Sequence, residues 1–295
     1  MSNSPFLVTG ASGQLGRRVV ELLLAQDLGP IIATTRTPDA LKELAARGVE
    51  VRRADFEDEA SLVQAFRGAG RALLVSTDAL DRPGKRLAQH QRAIRALEAA
   101  GVKHVVYTSL PNPAGSVISI APDHAGTEAA LAASRLDFTI LRNNLYADLL
   151  FMSLPQAIAS GQLVDARGDG AVAYVTREDC ARAAAAVLAD RSSSGRRTLD
   201  VTGPAALTSD ELAALASEVV GRKIVHVSVP GDALVRGLVE HGLPQPVAEL
   251  LASFDAGIAR GELATATDTV QRLTGRAPSS LRDFLVENRA ALTQR

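Results

Sequence analysis

The chain has one cysteine, no tryptophan and few aromatic residues of any kind; Phe, Trp and Tyr together make up 3% of it. A single cysteine, Cys180, excludes an internal disulfide and fits a reducing compartment. It lies in an alanine-rich helical run and reads as a small core residue. No charge of one sign dominates, with 32 Lys and Arg against 33 Asp and Glu and a net charge of −1. With no basic tract and no interleaved aromatics, a nucleic-acid surface is not expected. No apolar run reaches the roughly 18 residues of a membrane-spanning helix. The N-terminus has neither the basic segment nor the apolar segment of a secretory signal. The expectation is a cytoplasmic protein, monomer or homodimer, with no metal, nucleic-acid or membrane partner.

What is present is a large apolar content, 46% of 295 residues, enough for one nucleotide fold and a small second lobe. Residues 5 to 36 carry the strongest signal. An apolar strand, Phe6 to Val8, enters a turn holding Thr9, Gly10, Ser12, Gly13, Gln14, Leu15 and Gly16. A helical pattern follows through Val19, Val20, Leu22, Leu23 and Leu24, then a second strand from Ile31 to Thr35. A glycine triplet alone is a weak signal, but a strand before it and a helix and strand after it give the context of a dinucleotide cradle. Gly10 permits the tight turn, Gly13 lets backbone approach a pyrophosphate, and Gly16 lets the helix pack against the strand. The N–H groups at the helix start then face phosphate.

Arg36 narrows the cofactor. NAD-binding folds place a carboxylate about 20 residues beyond the glycines to accept the ribose hydroxyls. Here that place is taken by Arg36, preceded by Thr34 and Thr35, with no acid present. A guanidinium can bind a 2′-phosphate through two hydrogen bonds, which predicts NADP(H). Arg17 and Arg18 stand in the first helical turn, where cations oppose the helix dipole. They read equally well as a second anion contact or as solvated surface charge.

Strand and helix patterns alternate onward. Strands are predicted at Val49 to Ala54, Arg71 to Ser76, His104 to Ser109 and Phe138 to Arg142. The helices between them run from Asp58 to Phe66, Leu87 to Ala100 and Pro122 to Ala133. This pattern predicts an α/β fold, a Rossmann-type doubly wound parallel sheet, with ligands beyond the carboxyl ends of the strands. The pairs Asp55 and Phe56, Ser76 and Thr77, and Thr108 and Ser109 fall at those ends. Each is a candidate cofactor contact, and each is equally able to cap the next turn.

After Tyr146 the pattern loosens. Leu149 to Ser160 reads as helix despite Pro155, and Gly161 to Ala173 as turns with short extended pieces. A helix from Glu178 to Asp190 and a strand from Arg197 to Val201 return to the sheet. A helix from Asp210 to Val220, capped by Thr208 or Ser209, and a strand from Ile224 to Val229 follow. The predicted organisation is an NADP-binding domain over residues 1–150, completed by about 174–202. Residues 151–173 and 203–295 form a smaller α/β C-terminal lobe that binds substrate.

The segments TGASGQLG, VRRADFED, YTSL, DHAGTEAAL and LRNNLYAD together resemble the NmrA-like atypical short-chain dehydrogenases, among them bacterial NADPH:quinone oxidoreductases and triphenylmethane reductases. The resemblance covers essentially the whole chain. It implies an NADPH-dependent oxidoreductase passing hydride to a quinone or another small, flat aromatic acceptor. It equally admits a non-catalytic NAD(P) sensor or a reductase dedicated to one metabolite.

The chain departs from active short-chain dehydrogenases in lacking the YxxxK pair. The matching helix has His124 and Glu128, four residues apart on one face, and Tyr107 is followed four residues later by Pro111. A quinone needs little proton assistance, so one hydrogen-bond donor suffices. His124 is the candidate donor, on the expectation of a pKa near neutrality; it reads almost as well as a helix histidine bonded to Glu128. Asn143, beside Asn144, is a candidate cofactor contact, and Tyr146 a candidate catalytic residue lining the acceptor pocket. Leu110, Leu145, Phe151 and Phe254 are candidate apolar walls, although such residues are core more often than ligand wall.

Overall fold

The structure is a computed structural model that describes residues 4–293. In chain order the strands are β1 (Phe6–Val8), β2 (Ile31–Thr35), β3 (Glu50–Arg53), β4 (Arg71–Leu74), β5 (His104–Ser109), β6 (Asp137–Asn143), β7 (Gln162–Asp165), β8 (Ala171–Val172), β9 (Arg196–Val201), β10 (Leu207–Thr208) and β11 (Val225–Ser228). The helices are α1 (Gln14–Ala25), α2 (Lys42–Ala46), α3 (Glu59–Phe66), α4 (Lys85–Ala99), α5 (Ala121–Ala133), α6 (Leu154–Ser160), α7 (Arg177–Ala189), α8 (Ser209–Val220), α9 (Gly231–Glu240), α10 (Gln245–Ala259), α11 (Thr269–Thr274), α12 (Leu281–Glu287) and α13 (Arg289–Thr293).

The chain divides into two compact units. The first takes the residues up to Leu110 with Pro122–Arg142 and Cys180–Leu199; the second takes Pro111–Ala121, Asn143–Asp179 and the residues from Asp200 onward. Seven strands form one sheet in the order β3-β2-β1-β4-β5-β6-β9. From β3 through β6 neighbouring strands run parallel: Val8 lies opposite Ala33 on one side and Leu73 on the other, and Ser109 opposite Arg142. Strands β1, β2, β4 and β5 are buried along their whole length. That follows from apolar runs without alternation, which need helices on both faces. The order reverses between β1 and β4, the point where such sheets bind ligands.

Local chemistry explains the boundaries. The Asp58 carboxylate accepts from the N–H of Ser61 and starts α3. The core against this helix joins Leu7, Phe66, Leu74, Leu97, Tyr107 and Phe138. At the amino end of β4 the buried Arg71 guanidinium donates to the carbonyls of Val187, Leu188 and Ser193 at 2.9 to 3.0 Å. Two of these, Val187 and Leu188, are in the last turn of α7, where a cation also suits the helix dipole.

In the second unit, β7 pairs in parallel with β11 and β8 in antiparallel with β10. Thr208 and Glu211 form a capping box on α8. Buried Asp165 accepts from the Ser209 hydroxyl and meets Nε2 of His226 at 2.9 Å, while Arg167 pairs with Asp255 at 2.7 Å. The predicted helix from Leu149 to Ser160 divides in two: a 3-10 turn, Ala147–Met152, precedes α6, with Pro155 in the first turn of α6. Proline lacks the N–H that a continuous helix needs and is tolerated at a helix start. No helix among the described residues is long and apolar enough to cross a membrane.

Candidate functional site

The turn after β1 is shaped by its glycines. Gly10 has φ +60°, a left-handed conformation that disfavours a side chain. A Cβ on Gly16 would stand 2.5 Å from the Gly10 carbonyl oxygen, so that glycine lets α1 start against the turn. Gly13 is the N-cap of α1, and neither a capping side chain nor an acidic residue occupies its first turn. The N–H groups of Gln14, Leu15 and Gly16 therefore lack intrahelical partners and meet no negative side chain, as an anion cradle requires. Leu15 is buried, while Gln14 is exposed.

Beside the turn, the Thr35 hydroxyl donates to the Ser12 hydroxyl oxygen at 3.0 Å, which leaves the Ser12 hydrogen to donate elsewhere. Arg36 follows β2 directly, is exposed, and forms no ion pair or hydrogen bond with the described residues. Arg17 donates to the Ala40 carbonyl at 2.7 Å and lies 3.5 Å from Glu43, and Arg18 pairs with Glu21. Both are thus engaged within the protein, which corresponds fully to neither reading and is nearer to that of surface charge. An unpaired guanidinium, a serine hydroxyl and open helix N–H groups form a donor set suited to an NADP(H) phosphate.

The carboxyl ends of β1, β4 and β5 present a row of hydroxyls. Thr9 accepts from the N–H of Val75 at 3.0 Å, and Thr108 accepts from the N–H of Ser76 at 2.9 Å and donates to the Ser76 hydroxyl. Both threonines are buried, so their side chains brace neighbouring strand ends. Asp55 accepts from the N–H of Glu57 and closes the turn into α3, and Phe56 packs against the core. Thr77 is gripped on both sides of its backbone by α4. Its N–H donates to Nε2 of His90 at 2.9 Å, and its carbonyl accepts from Nε of Arg86 at 2.6 Å.

His124 departs from expectation. Its ring is buried, with Nε2 at 2.9 Å from Arg86 Nη2 and Nδ1 at 2.9 Å from the Tyr107 hydroxyl. Burial, then the charge of Arg86 and the neighbouring His90, hold its pKa well below the ordinary histidine value. The expectation of a near-neutral donor is therefore corrected: the ring has no accessible proton to give. The suggested partner Glu128 is engaged elsewhere. It accepts from the Ser109 hydroxyl at 2.7 Å and pairs through both oxygens with Arg142, at 3.0 and 2.7 Å. Ser109 spends its hydrogen on this carboxylate and presents oxygen lone pairs only.

Sequence reasoning missed Arg86, His90 and the contact between Tyr107 and His124. The signal was the inward stripe of α4: extending Leu97, Ile94 and Ala93 back by helical spacing lands on His90, Gln89 and Arg86, all buried.

In the second unit, Asn143 donates from Nδ2 to the Tyr146 hydroxyl oxygen at 3.1 Å. The Arg177 guanidinium lies 5.5 Å from the Tyr146 ring centroid and pairs with Asp148 at 2.9 Å. Among the described residues the buried side-chain carbonyl of Asn143 has no hydrogen-bond partner, an acceptor suited to a ligand N–H or O–H. Asn144 donates to the Leu263 carbonyl and is structural. Among the candidate walls, Leu110 is buried, Leu145 and Phe254 are half-buried, and Phe151 is partly exposed against Phe284.

The model of the NmrA-like family matches residues 2–258. The chain belongs to the NmrA-like family. This NmrA-like protein is 36% identical over 275 residues to quinone oxidoreductase 2 of Escherichia coli (strain K12), covering 93% of this chain and 95% of that one. Its structure is similar to that of the NADPH-dependent quinone oxidoreductase of Escherichia coli complexed with NADPH. The TM-score is 0.91 at 35% identity, over 96% of this chain and 99% of the other. The Citrobacter sp. triphenylmethane reductase complexed with NADP(H) matches with a TM-score of 0.87 at 35% identity, over 96% and 99% of the two chains.

Proposed function

We propose that this NmrA-like protein is an NADPH-dependent reductase acting on quinones or similar flat conjugated acceptors. The observation that carries the cofactor is Arg36, unpaired among the described residues at the end of β2 where NAD-selecting folds need an acid. The acceptor class follows from the similarity to the quinone oxidoreductase and the triphenylmethane reductase. Bound NADPH supplies the hydride.

The chain's own residues hold and orient. The turn from Gly10 to Gly16, with the Ser12 hydroxyl and the N–H groups of Gln14 and Leu15, binds the pyrophosphate. Arg36 binds the 2′-phosphate. Ser76 and Thr77 border the cofactor, held in place by Thr9, Thr108, Arg86 and His90, and Asp55 and Phe56 border its adenine end. Ser109 accepts a hydrogen bond from the cofactor, and in the second unit the orphaned carbonyl of Asn143 offers an acceptor to a ligand. Tyr146 lines the acceptor pocket and offers its phenol to the reduced acceptor, oriented by Asn143 and Arg177. His124 takes no direct part in proton transfer. We place the protein in a reducing compartment such as the cytoplasm, because its one cysteine is buried as a free thiol, and propose that it acts as a monomer or homodimer.

The test is NADPH oxidation against a panel of quinones, triarylmethane dyes and enones, with NADH as control. Turnover with NADPH and quinones is expected. Tight NADPH binding without turnover of any acceptor would replace this reading with nucleotide sensing.

A further inference from the structure

The direction of each hydrogen bond around His124 follows from donor chemistry alone. Arginine has only donors, so the contact between Arg86 Nη2 and His124 Nε2 makes that nitrogen an acceptor. The single N–H of the ring must then be on Nδ1 and is spent on the Tyr107 oxygen. The same logic fixes His90. Its Nε2 accepts from the peptide N–H of Thr77, and its Nδ1–H donates to Thr127 Oγ1, whose own hydrogen goes to the Asp123 carbonyl. Arg86 and His90 are four residues apart on α4 and hold the carbonyl and the N–H of Thr77 respectively.

Arg86 is an expensive choice for this work. Its guanidinium is buried, forms no ion pair among the described residues, and has Nη1 without a hydrogen-bond partner. Burying an unpaired charge is strongly unfavourable. A neutral donor would hold the Thr77 carbonyl at lower cost, but would leave a buried histidine free to exchange tautomers. The titratable and charged groups facing the cluster are Arg86 and His90 from α4, Asp123 and Glu128 from α5, Tyr107 from β5 and Asp78 from the segment between β4 and α4. Burial and the Arg86 charge act on His124 in the same direction.

We infer that Arg86 is a positioning residue of the ligand-binding end of the sheet: it locks His124 as a neutral ring with its one N–H on Tyr107 and, with His90, fixes both sides of the Thr77 peptide. The inference goes beyond the reductase reading by taking the α5 histidine out of proton transfer and giving α4 control of the β4 strand end. Its kinetic arm rests on that reading, and its spectroscopic arm does not.

The test uses full-length protein labelled with ¹⁵N-histidine, with the His124 signals assigned through His124→Gln. In the wild type, His124 and His90 are expected as Nδ1–H tautomers with unchanged shifts from about pH 5.5 to 8. In Arg86→Met, the His124 signal should move to mixed tautomers or protonate within that range, and calorimetry should show NADPH binding weakened about tenfold, the scale of one lost hydrogen bond. Arg86→Lys should keep His124 neutral and recover part of the affinity. Quinone turnover should be flat over the same pH range in the wild type and gain an acid limb in Arg86→Met. An Nε2–H tautomer or a titrating His124 in the wild type overturns the inference, even if Arg86→Met does not fold, and leaves the reductase reading standing. A folded Arg86→Met with unchanged spectrum and NADPH affinity overturns it as well.

Discussion

The backbone N–H of Thr77 donates to Nε2 of His90 at 2.9 Å, so this ring serves the strand end only while that nitrogen is unprotonated. Burial, then the Arg86 charge, lowers the His90 pKa to about 3. His104, which meets Thr139 Oγ1 at 3.0 Å, is lowered to about 4, by burial and then by Arg71. These rings stay neutral in the fold, whereas in the unfolded chain they take up protons below about pH 6.5. With folded values depressed, their contribution is complete above about pH 6.5 and is lost as pH falls. Each adds a slope of up to about 1.4 kcal/mol per pH unit. Urea unfolding at pH 6.5 and 5, above most carboxylate titration, should show a clear loss of stability. A flat profile would contradict the buried neutral rings, and His104→Asn should reduce the slope.

Arg36→Ala should weaken NADPH binding and leave NADH nearly unchanged. A charge-assisted contact of this kind is worth about 1.5–3 kcal/mol, or roughly ten- to hundredfold. Calorimetry with both cofactors checks it; equal losses for both would remove the 2′-phosphate assignment.

Two glycines of one turn should fail differently. Gly13 has φ −82° and ψ 165°, a backbone open to any residue, and a Cβ there would lie 3.3 Å from the Gly10 oxygen. Gly13→Val should remain folded and lose NADPH binding, because its side chain fills the space the pyrophosphate needs. Gly16→Ala meets backbone at 2.5 Å and should lower the melting temperature as well. Retained NADPH affinity in folded Gly13→Val would end the cradle assignment.

Arg71→Met should cost about 3 kcal/mol of stability, since three carbonyls lose a charged donor in a buried place. NADPH affinity should stay unchanged, because Arg71 begins β4 and the ligand row lies past its other end. Chemical denaturation paired with calorimetry separates the two quantities.

The inner strands β1, β2, β4 and β5 were legible because each is a short, largely apolar run bounded by glycine or polar turns, and His104–Ser109 coincides with its predicted limits. The glycine turn was legible because its backbone needs are written in residue type. His124 was not, because burial and the identity of its neighbours depend on Arg86 and Tyr107, 38 and 17 residues away. Residue type alone gives histidine its solution character; the surroundings take that character away. The break before α6 was signalled by Pro155, and the apolar periodicity running through it concealed the division.

The last strand of the sheet, β9, joins beside β6 only after the long intervening segment from 144 to 195 has been made, and the N–H of Phe138 donates to the Gly195 carbonyl at this seam. During synthesis, β6 therefore waits with its outer edge unsatisfied. That edge belongs to an almost wholly buried strand, Asp-Phe-Thr-Ile-Leu-Arg-Asn, and an open apolar edge is a template for pairing with another chain. A nascent chain that has released β6 but not yet β9 thus exposes this edge and is a candidate for a holding chaperone. Gene fragments cut between those two strands should yield aggregates, although every glycine of the cofactor turn is present in them.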